Sequence, residues 1–199
     1  MMGVKVCFYF DEGASKDIDA TMAQQWDRLG ENWNVDAIIM IDETRAAGRE
    51  WMEKFVPGLS YSQPWFRYTK IEDAIEEHAW PLVYVERKDK RPSHHTSRTV
   101  GLYKYQHREN AVYVIGGHYG SGLHNMPIPG DWVHVPTGGP CGYAIQIGAM
   151  VMYDRARKLA ISNEAGQTRT RREKEMRQGL EQAAQVTRSA LKILDRALG

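Results

Sequence analysis

The sequence predicts an α/β protein: a mainly parallel sheet with helices on both faces, continued by a long C-terminal helix. Two observations carry that expectation. The candidate strands Val4–Phe10, Val35–Ile41 and Leu82–Val85 are largely continuous apolar runs, as strands buried on both faces must be. Between them lie segments with helix start and stop signals, and strands separated by helices build parallel sheets.

Taken in order, Val4–Phe10 is broken by Asp11-Glu12-Gly13, after which Ser15 or Asp17 can cap a helix to about Leu29. After the strand Val35–Ile41, a helix around Thr44–Phe55 closes at Pro57-Gly58. Thr69 opens a helix through about His78, and Pro81 precedes the strand Leu82–Val85. Arg87–Ser97 (RKDKRPSHHTS) is polar and reads as an exposed loop; Val112–Ile115 and Trp132–Val135 are further strands. Pro140 starts a helix to about Leu159 whose apolar face includes Ile145, Ile147 and Met150, and 163–166 reads as a hinge. The last helix, Gln167–Leu198, spaces Met176, Leu180, Ala183, Thr187, Ala190, Leu194 and Ala197 alternately by four and three, a narrow docking or coiled-coil seam. The expected division is an α/β domain over 1–162 and a basic amphipathic extension over 167–199.

A chain of 199 residues buries one sizeable core with room for an appendage. With 42% hydrophobic and 26% charged residues it has the composition of a soluble globular protein and not of a disordered one. It has no apolar run long enough for a transmembrane helix, and the opening VKVCFYF is too short and wrongly flanked for a signal peptide. Two cysteines, Cys7 and Cys141, fit a reducing cytoplasm. The net charge of +1 hides an asymmetry: 155–199 carries 11 Lys+Arg against 5 Asp+Glu, leaving 15 against 20 before it. A basic end on an acidic body points to an anionic partner, nucleic acid first, with a solvated helix face as the alternative.

The chemistry concentrates in 111–158: an apolar strand, a glycine-rich turn, a strand ending in Val-Pro, a second glycine-rich loop, then an apolar helix ending Tyr-Asp-Arg-Ala-Arg. Glycine-rich loops at neighbouring strand ends expose peptide groups side by side, which suits a nucleotide-like ligand held by main chain. Gly117-x-x-Gly120-x-Gly122 opens no helix, so it is not a dinucleotide fingerprint, and no Gly-x-x-x-x-Gly-Lys-Ser/Thr stretch exists. The histidines His94, His95, His118, His124 and His134 match no zinc spacing, so no metal is expected.

This segment resembles the SpoU/TrmH-type methyltransferases of the SPOUT superfamily. Val114-Ile115-Gly116-Gly117-His118-Tyr119-Gly120-Ser121-Gly122-Leu123, Val135-Pro136, Cys141-Gly142-Tyr143-Ala144 and Tyr153-Asp154 stand where that family carries its conserved turns and helix. The resemblance implies a C-terminal trefoil knot, a homodimer, S-adenosylmethionine as methyl donor and an RNA substrate. The cofactor would lie across Val85, Glu86 and Arg87; Gly116, Gly117 and His118; and Val133, Val135, Pro136, Gly142, Tyr143 and Ala144. The chain departs from the family where Tyr119 replaces glutamate, Tyr143 replaces asparagine and Gln24 or Gln25 replaces the first-helix arginine. Tyr119, Tyr143 and His118 are then the candidate catalytic groups, with Glu86 a base by position only. A non-catalytic module that binds the cofactor or RNA without methyl transfer is the alternative.

Two further stretches bear on RNA. Arg169, Arg171, Arg172, Lys174 and Arg177 open the last helix, where cations oppose the helix dipole, so their use is a phosphate backbone or neutralisation by nearby glutamates. Tyr61–Tyr68 (YSQPWFRY) is either a base-stacking platform or a core-facing turn.

Overall fold

The computed structural model describes residues 3–10, 16–43, 63–87, 99–116, 123, 126, 128–135, 144–163, 174 and 176, without the side chains of 16–22 and 87. The chain divides into two compact units, Met1–Arg157 and Lys158–Gly199. In the first, seven strands form one sheet: β1 (Val4–Tyr9), β2 (Ala37–Ile41), β3 (Trp65–Tyr68), β4 (Leu82–Arg87), β5 (Thr99–Gly101), β6 (Ala111–Ile115) and β7 (Asp131–Val135). Their spatial order is β3-β2-β1-β6-β4-β7-β5, and every ladder is parallel.

The apolar strands are continuous because both faces are covered. One face sends Val4, Val6, Phe8, Val83, Val85, Tyr113, Ile115, Val133 and Val135 into a core closed by α1 (Lys16–Asn32) and by the helix over 144–163, α3. Trp26 of α1 stacks on Phe8 with ring centroids 4.6 Å apart and planes 7° from parallel. The opposite face sends Cys7, Tyr9, Ile39, Ile41, Tyr84, Val112 and Val114 against Ile71 and Ala74 of α2 (Ile71–Glu77). Cys7 is a free thiol in that core, its pKa raised far above normal by burial.

Several boundaries differ from expectation, each for a local reason. α1 continues past Leu29 to Asn32 and ends where Asn34 enters the left-handed region at φ 51°, a conformation Asn tolerates. β4 runs on to Arg87 because Glu86 and Arg87 pair with His134 and Val135 of β7; the ladder, not apolarity, sets its end. Both edge strands, β3 and β5, were not foreseen: they are four and three residues long and incompletely buried, so they lack the apolar run of a central strand. β3 also corrects the stacking-platform reading for the described part of that stretch, 63–68. Trp65 donates its indole N–H to the buried Asp27 carboxylate of α1 at 3.0 Å, Phe66 and Tyr68 pack on the second core, and Arg67 pairs with buried Asp42 at 2.6 Å. The expected helix at 44–55 and the loop at 88–97 lie outside the described residues. Among the described residues no helix is long and apolar enough to cross a membrane.

Trp26 is 2% exposed and joins α1 to the sheet through Phe8. Trp26→Ala is expected to lower the unfolding free energy by about 3–5 kcal/mol in urea titration. A loss under about 1 kcal/mol would mean that this contact does not hold α1 in place.

Candidate functional site

A sheet covered on both faces offers a ligand only its strand ends. Here β4 lies between β6 and β7, with Val85 opposite both Ile115 and Val133, and Arg87 opposite Val135. β4 and β7 stop together at Arg87 and Val135 and β6 stops two residues short of them, so the carboxyl ends of three strands widely separated in sequence border one edge of the sheet. Val85, Glu86, Arg87, Gly116, Val133 and Val135, assigned to the cofactor from three different segments, meet along one edge.

Burial separates their roles. Val85, Val133 and Val135 are at most 1% exposed and face the first core, so they can offer a ligand only their peptide groups. Glu86 is half-buried on the opposite face and is the register partner of His134. Gly116 is buried, and a Cβ there would stand 2.8 Å from the Glu86 Oε2 and 3.5 Å from Leu123 Cδ1. A side chain at Gly116 would press on the Glu86 carboxylate and cover the backbone there, and its absence leaves the main chain open to close approach by a ligand. These residues fit a cofactor gripped by peptide groups. Ala144, the first described residue of α3, is half-buried against the first core. Gly117, His118, Tyr119, Pro136, Gly142 and Tyr143 lie outside the described residues, as do Arg169, Arg171, Arg172 and Arg177; Lys174 is helical and exposed.

A second polar cluster, unsuspected from the sequence, lies toward the amino ends of β6 and β7. The His107 side chain is fully buried, its Nδ1 2.6 Å from the Tyr113 hydroxyl and its Nε2 2.8 Å from the Asp154 carboxylate of α3. A carboxylate only accepts, so Nε2 carries the proton, and in the neutral ring Nδ1 accepts from the phenol. The next residue, Arg155, donates to the Gly3 carbonyl at 3.1 Å and the Glu109 carbonyl at 2.6 Å. Burial pushes the Tyr113 phenol far up, opposed by the nearby Arg155 guanidinium. Beside this network, Asp131 accepts from the Tyr105 hydroxyl at 2.8 Å and from Arg108 Nε at 3.0 Å. The Arg108 hydrogen bond holds the Asp131 carboxyl below its usual range against the opposing effect of burial. The available signal was the interleaving of aromatic, basic and histidine residues in 102–110 (LYKYQHREN), a composition unlike an idle connection.

No protein-family model matches the sequence, and no curated protein matches it either. Solved structures do. An RNA 2′-O ribose methyltransferase superposes with a TM-score of 0.53 at 13% identity, over 80% of this chain and 57% of that one. The SpoU methyltransferase AviRb from Streptomyces viridochromogenes, solved in complex with the cofactor AdoMet, gives 0.57 at 13% identity, over 80% of this chain and 58% of that one. A structure concerned with 2-OH methylation of C/U34 on tRNA gives 0.57 at 14% identity, over 80% of this chain and 92% of that one. This chain thus spans a little over half the length of the first two and nearly all of the third. Identities this low establish a shared fold.

Asp131 also yields a pH test. A carboxyl whose pKa is lowered by folding contributes stability that is present above the unfolded value, about 3.9, and lost as pH falls through the folded value. The stability advantage of the wild type over Asp131→Asn, measured by urea unfolding, is expected to hold steady from pH 7 to about 5 and to shrink below about 4. With the side chain 36% exposed the advantage is small. A difference independent of pH would show that the charge of Asp131 plays no part.

Proposed function

Starting from a SpoU/TrmH-type fold, we propose that the protein is an S-adenosylmethionine-dependent methyltransferase acting on tRNA or rRNA, at a ribose 2′-hydroxyl or a base. The carrying observation is that the carboxyl ends of β4, β6 and β7 border one edge of the sheet, with Gly116 bare among them. AviRb, which shares the fold, was solved with AdoMet.

The bound cofactor supplies an electrophilic methyl group on a sulfonium. Methyl transfer from such a donor needs little covalent help, so the work of this chain is positioning. The peptide groups of Glu86, Arg87, Gly116, Gly117, Pro136 and Gly142 would hold the adenosyl compound, and Val85, Val133 and Val135 keep those groups level by burying their own side chains. His118, Tyr119 and Tyr143 are the groups proposed to orient the acceptor and take its proton. Arg169, Arg171, Arg172, Lys174 and Arg177 would contact phosphates, in a basic extension over 167–199 that follows the α/β body.

Assembly and topology belong to the same proposal. Met150 and Tyr153, 42% and 59% exposed on α3, with Trp33 edge-on to Tyr153 at 6.3 Å, offer an apolar face for a second copy of the chain. β4 lying between β6 and β7 suits the C-terminal trefoil knot that the resemblance implies. The free, buried Cys7 fits a reducing cytoplasm.

One observation favours the second reading, a cofactor- or RNA-binding module without methyl transfer. Where the resemblance calls for a first-helix arginine, α1 presents half-buried Gln24 and exposed Gln25.

Isothermal titration of the full chain with S-adenosylmethionine is expected to give a Kd of tens of micromolar or tighter, as a working cofactor site requires. Gly116→Val, folded by circular dichroism, should weaken it at least tenfold, since the new Cβ would stand 2.8 Å from Glu86. No heat at about 100 μM cofactor would refute the proposal. Labelled methyl incorporation into total RNA separates the two readings: transfer supports the enzyme, and binding without transfer supports the module.

A further inference from the structure

At the other end of β7 a pocket of about 410 Å³ opens to solvent, lined among the described residues by Val100, Lys104, Gln106, Asp131 and Trp132, with Tyr105 and Gly130. It has the parts of a nucleotide subsite. Its acceptor is the Asp131 carboxylate, 36% exposed and held by Tyr105 and Arg108. Two of the three donors go to Oδ2, while Oδ1 receives one long contact from Arg108 at 3.3 Å, so Oδ1 keeps capacity for a ligand N–H. Cations flank it: Lys104 is exposed, and the Arg108 side chain is 52% exposed. The Lys104 ammonium lies 5.5 Å from the centroid of the Tyr103 ring. Tyr103, the chain neighbour of the lining residue Lys104, is 67% exposed and offers an aromatic face to solvent, and Val100 adds apolar surface at 40% exposure.

An oriented acceptor, two cations and an exposed aromatic face together match a planar base that carries N–H donors and is attached to phosphate. An acidic peptide would meet the Asp131 carboxylate, and an apolar ligand would gain nothing from the charges. We propose that this pocket takes a nucleobase bearing an exocyclic amino group from a single-stranded stretch of the bound RNA. The amino group donates to Asp131 Oδ1, a base stacks on Tyr103, and Lys104 and Arg108 face the phosphates. This rests on the RNA reading above and adds a selectivity to it. Cytosine satisfies Asp131 through its N4 amino group; uracil presents a carbonyl oxygen there and is disfavoured.

The test is fluorescence anisotropy of the full chain with labelled C9 and U9 oligoribonucleotides, S-adenosylmethionine titration run alongside. The wild type is expected to prefer C9 about five- to tenfold, within the range of a single base contact. Asp131→Asn, whose amide both donates and accepts, should erase or invert that preference. Tyr103→Ala, an exposed position that leaves the fold intact, should weaken both oligonucleotides about tenfold through lost stacking. Equal binding of C9 and U9 by the wild type, or an unchanged preference in Asp131→Asn, overturns the subsite and makes Asp131 only a clamp for the 105–108 segment, while RNA binding stands. Cofactor binding with no affinity for either oligonucleotide overturns the RNA reading itself and this subsite with it.

Discussion

The structure depends on the register of β4 between β6 and β7. Parallel ladders consume the peptide groups along each strand, and both faces are sealed by apolar side chains. What remains for a ligand is the level at which strands stop. Because Val85 pairs with Ile115 and Val133 at once, three loops distant in sequence share a single edge. Slipping β4 by one residue would turn Val83 and Val85 to the wrong face as well as displacing Glu86 from His134, so the two cores enforce the level of that edge. Gly116 is intelligible in the same terms: it is the point on the edge where a Cβ would displace the Glu86 carboxylate.

The central strands were legible because burial on both faces writes itself into composition. AIIMI, LVYV and AVYVI are short apolar runs rich in β-branched and aromatic residues, the pattern of strands buried on both faces. The edge strands were not, since β3 and β5 carry half-buried aromatic and polar residues that local pattern cannot distinguish from a turn. Strand order was also hidden. Nothing near Leu82 announces that its neighbours are Val112 and the strand from Asp131, because that choice is made by tertiary packing. The residues Val85, Glu86, Arg87, Gly116, Val133 and Val135 were assigned to a cofactor through the family resemblance, and in the described structure they lie along one edge. His107, Asp131 and Asp154 were missed for a physical reason: their significance lies in pairings across 23 to 47 residues, such as His107 with Asp154 and Arg108 with Asp131, which no local spacing encodes.

The polar groups divide between the two ends of the sheet. At the amino ends they fasten elements together: His107 joins Tyr113 of β6 to Asp154 of α3, and Arg155 ties the same helix to the carbonyls of Gly3 and Glu109. α3 is therefore anchored near Asp154 by hydrogen bonds and along Ile147 and Val151 by apolar packing. Ala144, the first described residue of α3, follows the third predicted cofactor loop in sequence. Fixing a helix at its far end is one way for a fold to set the position of a loop that itself carries little side-chain bulk.

The central claim is that peptide groups at the ends of β4, β6 and β7 grip an adenosyl sulfonium compound. A crystal structure of the full chain grown with S-adenosylmethionine tests it most directly. The account predicts electron density for the adenosyl group against Gly116 and the strand ends at Arg87 and Val135. Cofactor density at another place, or none there with that edge filled by the chain's own side chains, would contradict it.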